Sequence, residues 1–299
     1  MGTPEFAVPS LTALLDAGYH VVAAVTQPDR PSGRSGHTLI PCPVKALAAA
    51  RRVPVLQFER IRRQEGIDAL RALSPDLFVT AAFGQILSEK VLAIPRLGTV
   101  NVHASLLPRH RGAAPIHWAI LSGDRQTGIT TMLTDKGIDT GDMLLSRAVD
   151  ILPEETAGQL TERLAKLGAE VLLDTLPPFL AGTLTPTPQD PDVATYDPML
   201  AKELGVIDWT RDAEALSNLV RGVNPWPGAQ GEVHGLGLLK IWRARAVPGE
   251  GTPGTPLVLD AKRGLTVACG AGALELTEVQ APGGRRMTAS EFVRGRAGR

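Results

Sequence analysis

Short apolar runs alternate with amphipathic segments over the first two-thirds of the chain. Three runs rich in β-branched residues and bounded by turn residues indicate buried strands: HVVAAV (20–25), LFVTAA (77–82) and GTVNVH (98–103). Between them, 8–19 and 43–52 have helical spacing of apolar residues, and Pro43 is suited to a helix N-terminus. This alternation predicts an α/β fold with a Rossmann-like, mostly parallel sheet and helices on both faces.

The amino-acid composition of the chain changes after a further predicted helix at 157–175. The segment TLTPTPQDPDVATYDP is rich in Pro, Thr and Asp, which is typical of a linker. Beyond a helix at 211–222, four short strand-like runs predict a small β-barrel or sandwich: LLKIWRARAV (238–247), PLVLDA (256–261), LTVAC (265–269) and ALELTEV (273–279). We predict an N-terminal domain over 1–182, a linker over 183–206 and a C-terminal domain over 207–299.

The N-terminus departs from the expected pattern. A doubly wound domain normally opens with a central strand, whereas Met1-Gly2-Thr3-Pro4 is typical of the turn after such a strand. We expect the natural protein to carry about ten further residues upstream, enough for one strand. Without that strand, apolar faces and backbone groups would be exposed beside the site. We would then expect poor solubility and little activity.

The composition is that of an ordinary globular protein. It is 43% hydrophobic and 21% charged, and no run approaches the ~18 apolar residues that span a bilayer. The 31 basic and 31 acidic side chains cancel, so the net charge alone gives no case for nucleic-acid binding. Cys42 and Cys269 lack metal or disulfide spacing, and the N-terminus has no apolar signal core. We expect a cytoplasmic protein that is not inserted in a membrane.

The stretch NVHASLLPRHRGAAPIHW (101–118) carries the candidate chemistry. Residues i and i+2 of a strand point to one face, so Asn101 and His103 are predicted to lie side by side. At the C-terminal end of a parallel strand they would face the crevice in which open α/β sheets bind ligands. An Asn amide and a protonated His can both donate to a developing oxyanion. The alternative is a polar strand end that caps a neighbouring loop.

A second candidate element is the glycine-punctuated loop TDKGIDTGD (134–142). Asp139 lies between Gly137 and Gly141, which let the backbone bring its carboxylate close to a partner. A carboxylate beside His103 would fix the tautomer of the imidazole. Taken alone, an Asp in such a loop is more often a turn residue.

Together these motifs resemble a known family. The Asn-x-His pair, the SLLP run directly after it and an Asp 36 residues downstream in a D-x-G loop are similar to the signature of the folate-dependent formyltransferases. The resemblance is strongest to the members that act on methionyl-tRNA, and it covers essentially the whole chain: GTPEFA (2–7), TQPDRPSGR (26–34), PCPVKALA (41–48), FGQIL (83–87), GIDTGDML (137–144), IDW (207–209) and NPWPGA (224–229).

The resemblance implies transfer of a formyl group from 10-formyltetrahydrofolate to the α-amino group of methionyl initiator tRNA. It assigns catalysis to Asn101, His103 and Asp139. It assigns tetrahydrofolate binding to Ser105, Leu106, Leu107 and Pro108, and places the backbone of 83–87 along the pterin pocket. It further implies an OB-like C-terminal barrel that binds tRNA, a monomeric protein and a reaction without metal.

The loop over 27–38 lacks periodicity and is long for a connection, which favours a functional role. The resemblance makes it the insertion that reaches the acceptor end of the tRNA, with Arg34 as the contact. The family usually has more Lys and Arg after this position, where the present sequence has SGHT, so the phosphate contact is expected to be weaker. The alternative is a surface linker.

Three other functions fit parts of the sequence. A formyltransferase acting on an amino-sugar nucleotide shares Asn-x-His, SLLP and PWPGA, but GTPEFA and TQPDRPSGR favour the tRNA enzyme. A dinucleotide-binding dehydrogenase fits the α/β half, yet no GxGxxG follows the opening strand position. A non-catalytic folate- or tRNA-binding protein is disfavoured by the intact trio, and is retained for the case that the truncated chain is the real form.

Overall fold

The computed structural model of the chain describes residues 1–32 and 38–297. The chain divides into two compact units. The first comprises Met1–Gly112, Thr127–Val149 and Thr161–Tyr196, and the second comprises Ala113–Gln126, Asp150–Leu160 and Asp197–Arg299. The domain boundaries expected at 182 and 206 stay predictions. In the described ranges, no helix combines the length and apolar character needed to cross a bilayer.

Helices and strands alternate along the first 182 residues. The helices are α1 (Val8–Asp16), α2 (Pro43–Ala50), α3 (Gln64–Ala72), α4 (Glu89–Leu92), α5 (Pro115–Leu121) and α6 (Ala157–Leu180). The strands are β1 (Ala24–Thr26), β2 (Arg30–Ser32), β3 (Thr38–Ile40), β4 (Val55–Gln57), β5 (Phe78–Thr80), β6 (Thr99–His103), β7 (Arg111–Gly112), β8 (Gln126–Leu133) and β9 (Met143–Asp150). The three predicted strands correspond to β1, β5 and β6. β1 begins four residues after the predicted start at 20 and ends one residue after the predicted end, while β5 is shorter than predicted.

Parallel strand pairs lie at the centre of the first unit. β1 pairs with β4, and β5 pairs with β6, both in parallel. β6 also pairs with β8, which runs antiparallel to it, and β9 follows β8 in the sheet. The predicted mostly parallel sheet is confirmed, with β8 as an antiparallel addition.

Helices pack on both faces of the β5–β6 pair. Phe78 of β5 lies in a core cluster with side chains of α3. Phe78 and Thr99 are register partners, and side chains alternate along β6, so Val102 points to the opposite face. There α6 comes so close that a Cβ added to Gly168 would lie 2.9 Å from Val102 Cγ1. Glycine at this position therefore sets how closely α6 packs on β6.

The first two residues lie between β1 and β5. The Met1 amino group donates to Val79 O (2.6 Å), and the Gly2 N–H donates to Val25 O (3.0 Å). Beside them is a cavity of about 500 Å³ lined largely by apolar side chains of α1, β1, β5 and α6. The expectation of a longer natural N-terminus stays a prediction.

Antiparallel strands build the second unit. The strands and α-helices after residue 182 are β10 (Tyr196–Asp197), α7 (Ala213–Gly222), β11 (Ala229–Val233), β12 (Gly237–Val247), β13 (Pro256–Asp260), β14 (Gly264–Ala268), β15 (Ala273–Gln280), β16 (Met287–Thr288) and α8 (Ala289–Ala297), and 3-10 helices lie at Pro191–Val193 and Lys202–Gly205. The strand order is β11-β12-β15-β14-β13, with β16 on β15. One buried core joins Leu216 of α7 to Ile241 of β12 and Leu274 of β15. The predicted small C-terminal barrel-like domain is confirmed, and its four predicted strands appear as β12 to β15.

The loop that follows β1 contains an antiparallel hairpin of β2 and β3. At its base the Lys45 ammonium binds the Asp29 carboxylate, and Gln57 Nε2 donates to Asp29 Oδ1 (3.0 Å). The hydrogen bond from Lys45, followed by that from Gln57, holds the pKa of Asp29 below its usual value. These bonds fix the chain where it leaves β1. Arg34, the predicted tRNA contact, lies outside the described residues.

The two cysteines provide a test of the core of the second unit. Cys269 is buried, and this burial raises the pKa of its thiol to about 11, whereas Cys42 is partly exposed. At pH 8 we expect Cys269 to react with a disulfide reagent such as DTNB at least about a hundredfold more slowly than Cys42, because burial leaves little reactive thiolate.

A Cys42→Ser protein should retain only the slow thiol, and in denaturant the two cysteines should react alike. Two fast thiols in the folded protein would contradict the burial of Cys269.

Candidate active site

β6 presents two polar side chains on one face at its C-terminal end. Val102 is buried on the opposite face, while Asn101 is half-buried and shares its face with His103. Asn101 lies opposite Thr80 of β5, and Thr80 Oγ1–H donates to Asn101 Oδ1 (2.7 Å). This bond places the amide oxygen against Thr80, so the Nδ2 donor end points away from Thr80. The role of Asn101 as an oxyanion donor stays a prediction.

The contacts of His103 define which ring nitrogen carries a proton. Nε2 lies 2.9 Å from the carbonyl oxygen of His110. A carbonyl only accepts, so Nε2 is the donor, and Nδ1 of the neutral imidazole keeps its lone pair. Nδ1 faces Asp139, whose Oδ1 is 3.6 Å away. This separation is longer than a hydrogen bond but short enough for an ion pair once the imidazole is protonated.

A tightly folded loop turns the Asp139 carboxylate toward His103. Asp139 has φ +52°, in the left-handed region that costs about 1–2 kcal/mol for a residue with a side chain. Gly141 allows the loop to close, because a Cβ there would lie 1.8 Å from the Leu133 carbonyl oxygen. Asp139 Oδ2 accepts a hydrogen bond from the Gly112 N–H (2.9 Å). One carboxylate oxygen is therefore held by the backbone while the other faces the imidazole.

The SLLP segment forms the turn directly after β6. Ser105 is fully buried, and its hydroxyl donates to a backbone carbonyl of the same turn (2.7 Å). Thr130 of β8 accepts from the Leu107 N–H (3.2 Å) and donates to the Ser105 carbonyl (2.7 Å). Leu106 and Pro108 are partly exposed. Ser105 thus shapes the turn, and side-chain contacts of this segment to a folate would come from Leu106 and Pro108. Folate binding here stays a prediction.

The loop over 83–87 is fixed by a side chain that the sequence did not single out. Gln27 Nε2 donates to the carbonyls of Phe83 and Gly84, each at 3.1 Å. Gln27 belongs to the TQPDRP motif and comes directly after β1. A polar residue at the end of a buried strand was the available signal, as it was for Asn101 and His103.

A second contact that the sequence did not predict comes from Gln189, in the segment interpreted as a linker. Gln189 Nε2 donates to the carbonyls of Asp139 (2.9 Å) and Gly141 (2.7 Å). Arg111 Nε donates to Gln189 Oε1 (2.9 Å). The Pro-, Thr- and Asp-rich composition around Gln189 gives no signal for such contacts.

An amide donor, an imidazole and a carboxylate therefore converge at the end of β6. Such a set can stabilise an anionic oxygen and move a proton, which is the chemistry of acyl transfer to an amine. Within 1–32 and 38–297, no three His, Cys, Asp or Glu side chains are grouped to hold a metal ion. That the reaction needs no metal stays a prediction, as do the individual roles of the site residues.

Comparison with known proteins covers both parts of the chain. Residues 1–176 match the family described as formyl transferase, and residues 199–297 match the formyl transferase C-terminal domain. Among solved structures, the sugar 3N-formyl transferase WlaRD superposes with a TM-score of 0.69 at 15% identity, covering 92% of this chain and 95% of that one. HypX from Aquifex aeolicus, in complex with tetrahydrofolic acid, has a TM-score of 0.61 at 20% identity, covering 92% of this chain and 47% of that one. These two likenesses show a shared fold.

Curated relatives are much more similar in sequence. The methionyl-tRNA formyltransferase of Citrifermentans bemidjiense is 50% identical over 295 residues, which is 99% of this chain and 92% of that protein. The methionyl-tRNA formyltransferase of Acetivibrio thermocellus is 50% identical over 298 residues, 99% of this chain and 95% of that protein. With both halves matched and this identity over nearly its whole length, the chain belongs to the methionyl-tRNA formyltransferase family.

Proposed function

We propose that the chain transfers the formyl group of 10-formyltetrahydrofolate to the α-amino group of methionyl initiator tRNA, for initiation of translation in the cytoplasm. The observation that carries this proposal is the convergence of Asn101, His103 and Asp139 at the end of β6. It occurs in a chain that is 50% identical over 99% of its length to a methionyl-tRNA formyltransferase.

The reaction exchanges one C–N bond for another and moves one proton. The amine nitrogen attacks the formyl carbon, which forms a C–N bond and a tetrahedral centre with an anionic oxygen. Collapse of that centre breaks the bond from the formyl carbon to the folate nitrogen, and the proton released by the amine passes to that nitrogen. Each group that donates to the oxyanion lowers the barrier by about 3 kcal/mol. Asn101 Nδ2 is the first proposed donor, and Nδ1 of His103 becomes the second once it has taken the proton that the amine releases.

The proton pattern of His103 suits this sequence of steps. Because Nε2–H is held by the His110 carbonyl, Nδ1 is the nitrogen that takes a proton from the amine, directly or through water. Asp139 then stabilises the imidazolium from 3.6 Å, a separation that we expect to shorten when substrate is bound. The carboxylate orients the ring and helps to relay the proton.

The folate is proposed to lie against the turns that follow β5 and β6. These strands are parallel neighbours, with Thr80 opposite Asn101, so the turns at 83–87 and 105–108 leave the sheet at the same edge. Ligands of open α/β sheets bind at that edge. The formyl carbon would then be presented to the Asn101 amide.

Removal of the Asn101 amide or of the Asp139 negative charge should slow the chemical step. We expect Asn101→Ala to lower kcat by about 10²-fold, as loss of one oxyanion donor does. Asp139→Asn should lower it by about 10²- to 10⁴-fold, because the imidazole loses its anionic partner. Single-turnover formylation of methionyl initiator tRNA measures both.

Asp68 on α3 provides the matched control, since it is exposed and Asp68→Asn removes one charge in the same unit. Near-normal formylation by folded Asn101→Ala or Asp139→Asn protein would refute the assigned roles.

The acceptor amine distinguishes this function from formylation of an amino-sugar nucleotide. With 10-formyltetrahydrofolate as donor, we expect formylated methionyl-tRNA and no formylated sugar nucleotide at matched enzyme concentrations. Uncharged initiator tRNA is the control, because it carries the same phosphates without the amine. Turnover of the sugar nucleotide alone would assign the chain to the other reaction.

Arg34 is proposed to contact a phosphate near the tRNA acceptor end. Arg34→Ala should raise the KM for tRNA and reduce the slope of log KM against log salt by about one unit, because each phosphate contact releases roughly one counterion. The exposed Arg62 offers a control as Arg62→Ala. Unchanged tRNA kinetics for Arg34→Ala would assign the loop over 27–38 to the alternative role of a surface linker.

A further inference from the structure

The segment over 187–196, termed the strap, crosses the two loops that contact His103. Near its start, Thr187 and Met143 exchange backbone hydrogen bonds in both directions, each at 2.8 Å. Near its end, the Thr195 carbonyl accepts from the Arg111 N–H (2.9 Å). The strap is therefore anchored to the chain after the Asp139 loop and to the loop over 108–112.

Gln189, between these anchors, bonds to both loops at once. Its Nε2 donates to the carbonyls of Asp139 and Gly141, and its Oε1 accepts from Arg111 Nε. The two carbonyls only accept and the guanidinium only donates, so one orientation of the amide satisfies all three bonds. A single side chain thus joins the Asp139 loop to the loop over 108–112.

Arg111 gives Gln189 a fixed partner. Its side chain is buried, its Nη1 donates to the Tyr196 hydroxyl (2.9 Å), and its guanidinium lies 5.4 Å from the centre of that ring. Arg111 directly follows His110, whose carbonyl accepts from His103 Nε2. The groups that face the two ring nitrogens of His103 are therefore joined through Gln189.

We propose that Gln189 is a positioning residue that sets the separation of Asp139 from His103 Nδ1. The proposal rests on the proposed function for its kinetic test, and it gives Gln189 no contact with either substrate. Asp139 has a left-handed backbone. Of the three hydrogen bonds described at Asp139 and Gly141, two come from the Gln189 amide, and the third comes from Gly112 at the end of the loop that Gln189 bonds. Without that amide, the carboxylate would lose its fixed distance from the imidazole.

Gln189→Met keeps the length of the side chain and removes its hydrogen bonds. We expect kcat to fall by about 10- to 100-fold, since a small displacement of a catalytic group has an effect of that size. The KM values for tRNA and folate should change by less than about twofold, because ground-state binding is not touched. Gln64→Met is the matched control, since Gln64 is exposed on α3 and bonds only to Asp68 among the described residues.

A double-mutant cycle separates positioning from general stability. If Gln189 acts through Asp139, then Gln189→Met in an Asp139→Asn background should lower kcat by less than about twofold further. A full additional 10- to 100-fold loss in that background would overturn the proposal. So would wild-type kcat for the folded Gln189→Met protein.

A substrate-free measurement keeps the proposal independent of the activity. The Gly112 N–H donates to Asp139 Oδ2, so its hydrogen exchange reports whether the two loops stay joined. Gln189→Met should accelerate this exchange by at least about tenfold relative to Gln64→Met, and unchanged exchange would overturn the proposal. If wild-type protein forms no formylmethionyl-tRNA, the proposed function fails and the exchange alone decides the role of Gln189.

Gln189→Glu covers the case in which Gln189→Met does not fold. It keeps an acceptor for Arg111 but, when ionised, sets a carboxylate oxygen against two carbonyls. We expect its kcat relative to wild type to be low at pH 8 and to rise as the pH falls, because a protonated Glu can donate again. A wild-type kcat for Gln189→Glu at pH 8 would overturn the proposal.

Discussion

A carbonyl oxygen can only accept a hydrogen bond, and the His110 carbonyl therefore determines that Nε2 of His103 carries the proton of the neutral ring. His110 is buried and has φ +58°, a conformation that most residues avoid. Its N–H donates to Thr195 Oγ1 (2.7 Å), which ties this residue to the strap. If the carbonyl turned away, the buried Nε2–H would lose its acceptor at a cost of about 1–3 kcal/mol. The loop over 108–112 thus bonds to the His103 imidazole, to the Asp139 carboxylate and to the strap, and it fixes all three.

Alternate residues of β6 face α6 and the candidate site. Val102 packs against α6 at a distance that only glycine at position 168 permits, and the next side chain, His103, faces the carboxylate. β5 and β8 flank β6 on either side, so the strand cannot slide without breaking two ladders. A shift of one residue would turn Asn101 and His103 to the face that packs on α6. The position of Asn101 and His103 is therefore as firmly set as that of the core itself.

The elements that the sequence predicted best are those with strong local signals. The alternation in GTVNVH and the apolar runs of the second unit each indicate a strand with one face against a core, and Pro43 marks the start of a helix. β6, α2 and β12 to β15 therefore appear where predicted. β8 was not predicted, because QTGITTML contains threonines that are buried through tertiary bonds. Thr130 bonds to the turn after β6, and Thr131 meets Thr175 of α6 at 2.8 Å. A hydropathy pattern treats these threonines as exposed polar residues, because it contains no information on the hydrogen-bond partners that allow them to be buried.

The same limit explains why the strap was interpreted as linker. Composition predicts whether a segment can form a long helix or strand, and the strap forms only a 3-10 helix at Pro191–Val193, a β-bridge at Thr187 and the start of β10. Its backbone and Gln189 instead satisfy hydrogen bonds offered by two other loops, and those bonds exist only once the loops are folded. Asn101, His103 and Asp139 could be found from the sequence because a strand period and a resemblance connect them. The Gln189 amide, which holds the Asp139 loop, could not be found in this way, because the residues next to it in the sequence give no signal for its hydrogen bonds.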